Sequence, residues 1–95
     1  MNKSQLVRMV ADHTEMSNAM ASRAVDATFD AIMDALATHE DVVVPGFGKF
    51  SVTVRGAREV RNLHTGETMM SSAKHAPRFK PGKTMKDRVE LIPVE

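Results

Sequence analysis

Three arginines, Arg55, Arg58 and Arg61, recur at every third position in RGAREVRNLHTGETMM, residues 55–70. Guanidinium groups so spaced suit a polyanion, because each offers planar donors that fit phosphate and the narrow, electronegative minor groove of DNA. The segment then enters Asn62-Leu63-His64-Thr65-Gly66, a turn-forming cluster by its Asn, Thr and Gly, with a bare leucine at the tip. An apolar side chain at the most water-exposed point of a cationic ribbon needs a partner that hides it. Lys74, Arg78, Lys80, Lys83 and Lys86 follow, so the basic character continues through the last third of the chain.

Other chemistries have less support. The chain has no cysteine and no G-x-S-x-G elbow, and His13, His39, His64 and His75 lie far apart without a recognisable serine or acid context, so they read as surface residues. No H-E-x-x-H or EF-hand loop occurs, and neither a metal nor a cofactor is expected. Asp26, Asp30 and Asp34 form a like-charge ladder at i, i+4. Without further ligands it reads as a solvated face that repels nucleic acid. Gly46-Phe47-Gly48 lacks the third glycine and the lysine context of a phosphate loop, and reads as a tight bend between strands. The chain is not expected to be an enzyme.

Net charge is only +1, but it is polarised. Residues 1–48 hold three Lys/Arg against seven Asp/Glu, net −4, and residues 49–95 hold ten against five, net +5. Such asymmetry directs a polyanion to the second half. Ninety-five residues make one small domain. With Phe29, Phe47, Phe50 and Phe79 as the whole aromatic complement, a single copy has limited means of building a deep core. An obligate dimer would complete it. No signal-peptide pattern opens the chain and no run approaches a membrane span, so a cytoplasmic location is expected.

The elements that must position these residues follow from periodicity. Asn2 with Gln5 forms a capping box for a helix over residues 3–13. Ser17 caps a second helix, in which Met20/Ala21, Ala24/Val25, Thr28/Phe29, Ile32/Met33 and Leu36 form one apolar stripe. From Asp41 the period becomes two. Val42–Val44 is a β-branched run ended by Pro45-Gly46; in the next strand Phe50, Val52 and Val54 fall on one face and Lys49, Ser51, Thr53 and Arg55 on the other. Residues 67 to about 80 return as a third strand. A turn centred near His64 pairs Val54 with about Lys74 and Arg58 with about Met70, and puts Arg55 and Arg61 on one face with Arg58 on the other. Lys83 to about Leu91 forms a short basic helix after Pro81-Gly82. The class is α+β: two N-terminal helices, a three-stranded antiparallel sheet with an extended arm, and a short C-terminal helix.

MNKSQL at the start, VPGFGKFSV at 44–52, the arginine-spaced arm ending RN-x-x-TG at 61–66 and PGK-x-x-KD at 81–87 together resemble the HU/IHF family of bacterial DNA-bending proteins, HU more than IHF. The resemblance runs without an evident gap from residue 1 to about 90. It implies one HU-like domain and an intertwined homodimer or heterodimer: 1–40 the dimerising helices, 41–82 the sheet with its arm at about 54–74, and 83–91 the last helix. It further implies a nucleoid protein that binds double-stranded DNA with little sequence preference through the minor groove, bending and compacting it. The implied contacts are Lys3, Arg55, Arg58, Arg61, Asn62, Leu63, Lys74, Arg78, Lys80, Lys83 and Lys86, with Leu63 as the wedge between base steps. Phe29, Ile32, Leu36, Phe47, Phe50 and Phe79 are the implied dimer core. The family's tip usually carries proline where this chain has Leu63, and glycine is common where it has Val60. A rival reading makes Val60, Leu63, Met69 and Met70 an adhesive arm for another protein. Residues 91–95 extend past the family's usual end and have no assigned role.

Overall fold

The computed structural model describes residues 1–56, 58–61 and 64–94, with 58–61 and 69–71 described through their backbone. Helix α1 (Lys3–Thr14) starts in the expected capping box: Asn2 Oδ1 accepts from the Gln5 amide and Gln5 Oε1 accepts from the Asn2 amide, both at 2.9 Å. Helix α2 (Asn18–Ala37) starts at Ser17, whose Oγ accepts from the Met20 amide at 3.2 Å. The two helices bury Val7 and Ala11 against Ala21 and Val25, with Val10 and Met16 alongside. Alanine at two of these positions lets the helix axes approach closely, at the cost of burying little apolar area. Helix α2 ends in a Schellman motif, the Glu40 amide donating to Ala35 O (2.9 Å) and the His39 amide to Leu36 O (3.0 Å), with His39 left-handed at φ 64°.

Five strands follow where three were expected. Strands β1 (Val42–Val44), β2 (Gly48–Arg55) and β5 (Lys74–Pro81) form an antiparallel sheet in the order β1-β2-β5, whereas β3 (Arg58–Arg61) and β4 (Thr68–Ser71) form a separate two-stranded ribbon. The ladder stops after Arg55↔Lys74 and resumes at Arg58↔Ser71, so the arm is detached from the sheet at one level on both strands. Gly46 and Gly48 make the bend between β1 and β2. Gly46 takes φ 81°, and a Cβ at Gly48 would sit 2.5 Å from the Phe79 ring and 2.7 Å from the Lys80 carbonyl oxygen. Helix α3 (Lys83–Glu90) is anchored on this bend, the Gly82 amide donating to Phe47 O (2.8 Å) and the Met85 amide to Gly46 O (3.1 Å).

The hairpin register is one residue off the sequence-based expectation. Val54 pairs with His75 rather than Lys74, and Arg58 with Ser71 rather than Met70. The apolar pattern decides this. The observed register sets Phe50 opposite Phe79 and Val52 opposite Pro77, whereas the expected one would set Phe50 opposite Arg78. The turn therefore spans an even number of residues between Arg61 and Thr68, and Gly66 within it adopts φ 74°. The two ladders keep one register across the gap, Arg55↔Lys74 and Arg58↔Ser71 having the same offset, and the side chains of Arg58 and Arg61, on which the expected placing of Arg55 and Arg61 on one face turns, lie outside the described residues.

Phe47, Phe50 and Phe79 form an aromatic cluster on the apolar face of the sheet, with centroid separations of 6.3, 5.7 and 4.8 Å. It is not closed over. Phe29, Phe47 and Phe79 remain 45%, 48% and 40% exposed, Ile32, Leu36 and Phe50 are half-buried, and Phe29 and Phe47 line one open apolar cleft with Leu6, Val10 and Val25. The chain exposes 8091 Å², against about 5,400 Å² for a compact monomer of this size. Its radius of gyration is 19.1 Å, against about 12 Å for a compact chain of this length. Part of this excess belongs to the arm. The rest is the unclosed apolar surface of the helices and sheet.

Candidate nucleic-acid interface

Register turns the alternating sequence of β2 and β5 into two chemically distinct faces. Because residues opposite one another share a face, the apolar side carries Phe50/Phe79, Val52/Pro77 and Val54/His75. The other side carries Lys49/Lys80, Ser51/Arg78, Thr53/Ala76 and Arg55/Lys74. Four of the expected contact residues, Arg55, Lys74, Arg78 and Lys80, thus lie together on one exposed surface. Lys49 joins them and was missed as a contact residue. Its position was legible in the alternation, but its cross-strand neighbour was not.

This face is electrostatically unfavourable by itself. Two of its four rungs, Lys49/Lys80 and Arg55/Lys74, set like charges directly opposite one another, and neither β2 nor β5 contains an acidic residue. Such pairs destabilise an antiparallel ladder. Lys49 has partial relief from Asp41, at 3.4 Å. No ion pair involving Arg55, Lys74, Arg78 or Lys80 occurs among the described residues. A polyanion laid on this surface relieves the repulsion and satisfies the donors at once.

The remaining positions are distributed around it. Lys83 and Lys86 are exposed on α3, whose first turn has no side-chain cap and no acidic residue; Lys83 Nζ lies 3.3 Å from Asp87 Oδ2, which partly neutralises it. Lys3 is farther from the cationic face in chemical terms. Its Nζ is 2.7 Å from Asp26 Oδ1, so one member of the acidic ladder pairs with this lysine, while Asp30 and Asp34 are exposed as expected. The hydrogen bond and charge of Asp26 push the Lys3 pKa up from 10.5. Both side chains stay substantially exposed, so solvent screens the pair. Arg58 and Arg61 occupy the two ends of β3, and their side chains lie outside the described residues, as do Asn62 and Leu63 entirely. At the turn, the Glu67 amide donates to Thr65 Oγ1 at 3.2 Å. The structure thus gathers Arg55, Lys74, Arg78 and Lys80 and leaves Lys3 in a separate pair. His39 and His75, distant in sequence, meet at the end of α2. Among the described residues no group of three or more His, Cys, Asp or Glu could hold a metal ion, and no helix is long and apolar enough to cross a membrane.

Comparison with known proteins bears on the family and the fold. A family model described as bacterial DNA-binding protein matches residues 1–90. The chain is 46% identical over 89 residues to DNA-binding protein HU 1 of Bacillus subtilis (strain 168), covering 94% of this chain and 97% of that one. It is 47% identical over 90 residues to DNA-binding protein HU of Geobacillus stearothermophilus, covering 95% and 100%. Among solved structures it matches an HU–DNA cocrystal structure from Anabaena with a TM-score of 0.92 at 34% identity, covering 97% and 100% of the two chains. It matches HU from Thermotoga maritima with a TM-score of 0.65 at 28% identity, covering 94% and 98%.

Proposed function

The chain belongs to the bacterial DNA-binding protein family, that of HU, and from this premise we propose that it binds double-stranded DNA on the cationic face of its sheet and grips it with the β3–β4 arm. The observation that carries the reading is the opposition of cations across the sheet, above all Arg55 opposite Lys74 at the root of the arm, a rung with no ion-pair partner among the described residues. A surface that costs stability unless an anion covers it is built for an anion.

Lys49, Arg55, Lys74, Arg78 and Lys80 hold phosphates on the sheet, Lys83 and Lys86 extend the track onto α3, and Arg58, Arg61 and Asn62 line the arm. Lys3 contributes once it leaves Asp26. Lysine and arginine contacts to phosphate position a protein without reading bases, so binding has little sequence preference. The arm enters the minor groove and Leu63 wedges between base steps, which bends the duplex and makes the protein an architectural one acting in the nucleoid. The unclosed apolar surface supports a dimer: a second copy covers Phe29, Phe47 and Phe79 and sets two arms on one duplex. Identical subunits satisfy this surface. The adhesive-arm alternative is not favoured, since the relatives are DNA-binding proteins and the cations of the sheet would have no part in it.

A salt titration of binding to linear, nicked and kinked duplexes of equal length tests the proposal. Five to seven phosphate contacts per chain give a slope of log K against log salt of about −4.5 to −6. Complex formation that ignores ionic strength would remove the reading. A preference for the nicked or kinked duplex supports bending, and equal affinity for all three argues against it.

A further inference from the structure

Apolar residues stand in water at the end of α3 and beyond it. Val89 is exposed in the last turn, and Leu91, Ile92 and Val94, which lie past residue 90 where the family match ends, are 82%, 64% and 99% exposed. Met85, Val89 and Ile92 recur at i, i+4 and i+7, the spacing of one helical stripe. The Ile92 amide donates to Val89 O at 3.1 Å, which carries the turn into the tail. We infer that residues 91–94 are a clasp that packs against a second copy of this chain and tightens the dimer. The inference rests on the dimer proposed for the unclosed apolar surface.

The stripe is continuous with the surface that the dimer covers. Hydrogen bonds from the Gly82 amide to Phe47 O and from the Met85 amide to Gly46 O hold α3 on the bend between β1 and β2. Met85 and Val89 thereby line one cleft with Pro45 and Phe47. Phe47 also lines the neighbouring cleft with Leu6, Val10 and Phe29. A single apolar strip therefore runs from α1 and α2 across Phe47 to α3 and its tail. A copy seated over Phe29 and Phe47 reaches the end of α3 without a break.

The chemistry of the tail suits burial. Residues 91–94 carry no charged side chain, so covering them desolvates no ion. Pro93 fixes its own φ, has no amide hydrogen to satisfy and disfavours helix at Ile92, so the tail loses little freedom on docking. Reach selects the occupant. Four residues extend at most about 14 Å, which keeps the tail on surface next to α3. The single chain leaves Leu91 and Val94 in water there, whereas the strip through Phe47 brings a second copy to them.

The test compares the parent with a full chain carrying Leu91→Ser, Ile92→Ser and Val94→Ser. Readouts are loss of energy transfer between labelled subunits on dilution, melting at several protein concentrations, and circular dichroism for the fold. The expected result is a dimer dissociation constant raised at least about tenfold, with an unchanged spectrum at high protein concentration. The salt slope of DNA binding stays the same, since no charge is altered. Equal dissociation of a dimeric parent and a dimeric variant would overturn the clasp and leave the dimer standing, whereas a monomeric parent would remove both. A loss of stability independent of protein concentration would put the tail on its own chain, and a changed salt slope would put it on DNA; either overturns the proposal.

Discussion

Arg55 and Lys74 face each other directly across the last rung of the β2–β5 ladder, on the exposed side of the sheet and immediately before the arm departs. Opposed like charges cost a ladder about 0.2–1 kcal/mol. The rung therefore gives stability and DNA binding opposite signs. Lys74→Ser should raise the denaturation midpoint of the free protein slightly and flatten the salt slope of DNA binding by about one unit. If the substitution lowers stability and affinity together, repulsion across the rung is not what the DNA relieves.

Lys3 gives a different balance, because its charge is already engaged by Asp26 at 2.7 Å. Asp26→Asn frees the lysine, and if Lys3 reaches phosphate the variant binds DNA more tightly with a salt slope steeper by about one unit. The pair also fixes a pH dependence. Its folded-state pKa is raised above 10.5, so the stabilisation is complete below that value and disappears as pH rises through the raised one. The difference in denaturation midpoint between the parent and Lys3→Met should accordingly stay constant from neutral pH to 10.5 and shrink above it. A difference that widens on the alkaline side would contradict the pairing.

Leu63 is the proposed wedge. Burying a leucine contributes about 1.5–3 kcal/mol, while unstacking a step costs a few kcal/mol and bending a 20–30 bp site about 1–6. These terms nearly cancel, so affinity must come from phosphate contacts. Leu63→Ala should reduce the bend angle measured by energy transfer between end-labelled duplex termini and leave the salt slope almost unchanged. An unaltered bend removes the wedge from the mechanism.

Phe29 distinguishes a surface residue from an interface one. In the single chain it is 45% exposed, so replacement by alanine loses only partial burial and should cost about 1 kcal/mol. Covered by a second copy, the same change should cost about 3–5 kcal/mol and make the melting temperature depend more steeply on protein concentration. Sedimentation of Phe29→Ala against the parent chain checks this: a loss of only about 1 kcal/mol and a shared monomeric state would exclude the dimer.

Much of this protein is legible in its sequence because much of it is local. The capping box at Asn2 and Gln5, the Ser17 cap, the bend at Gly46 to Gly48 and the two-residue alternation of β2 are each set within a few residues, and each appears where the periodicity puts it. Alternation also separated Phe50 from Lys49 and Arg55 before any partner strand was known. What lay beyond it was every relationship between distant residues. The pairing of Arg55 with Lys74 rather than Val54 with Lys74 depends on matching Phe50 to Phe79 across 29 positions, a long-range choice that no turn motif dictates. The ion pair of Lys3 with Asp26 needed the packing of α1 on α2, and the meeting of His39 with His75 needed the docking of α2 against the sheet. Local backbone preference and the alternation of side chains are encoded residue by residue, so the sequence alone determined the elements and the chemistry of each face. Which charges oppose, which neutralise and which rings touch is settled only when burial of the apolar faces fixes register and packing, and that belongs to the tertiary structure.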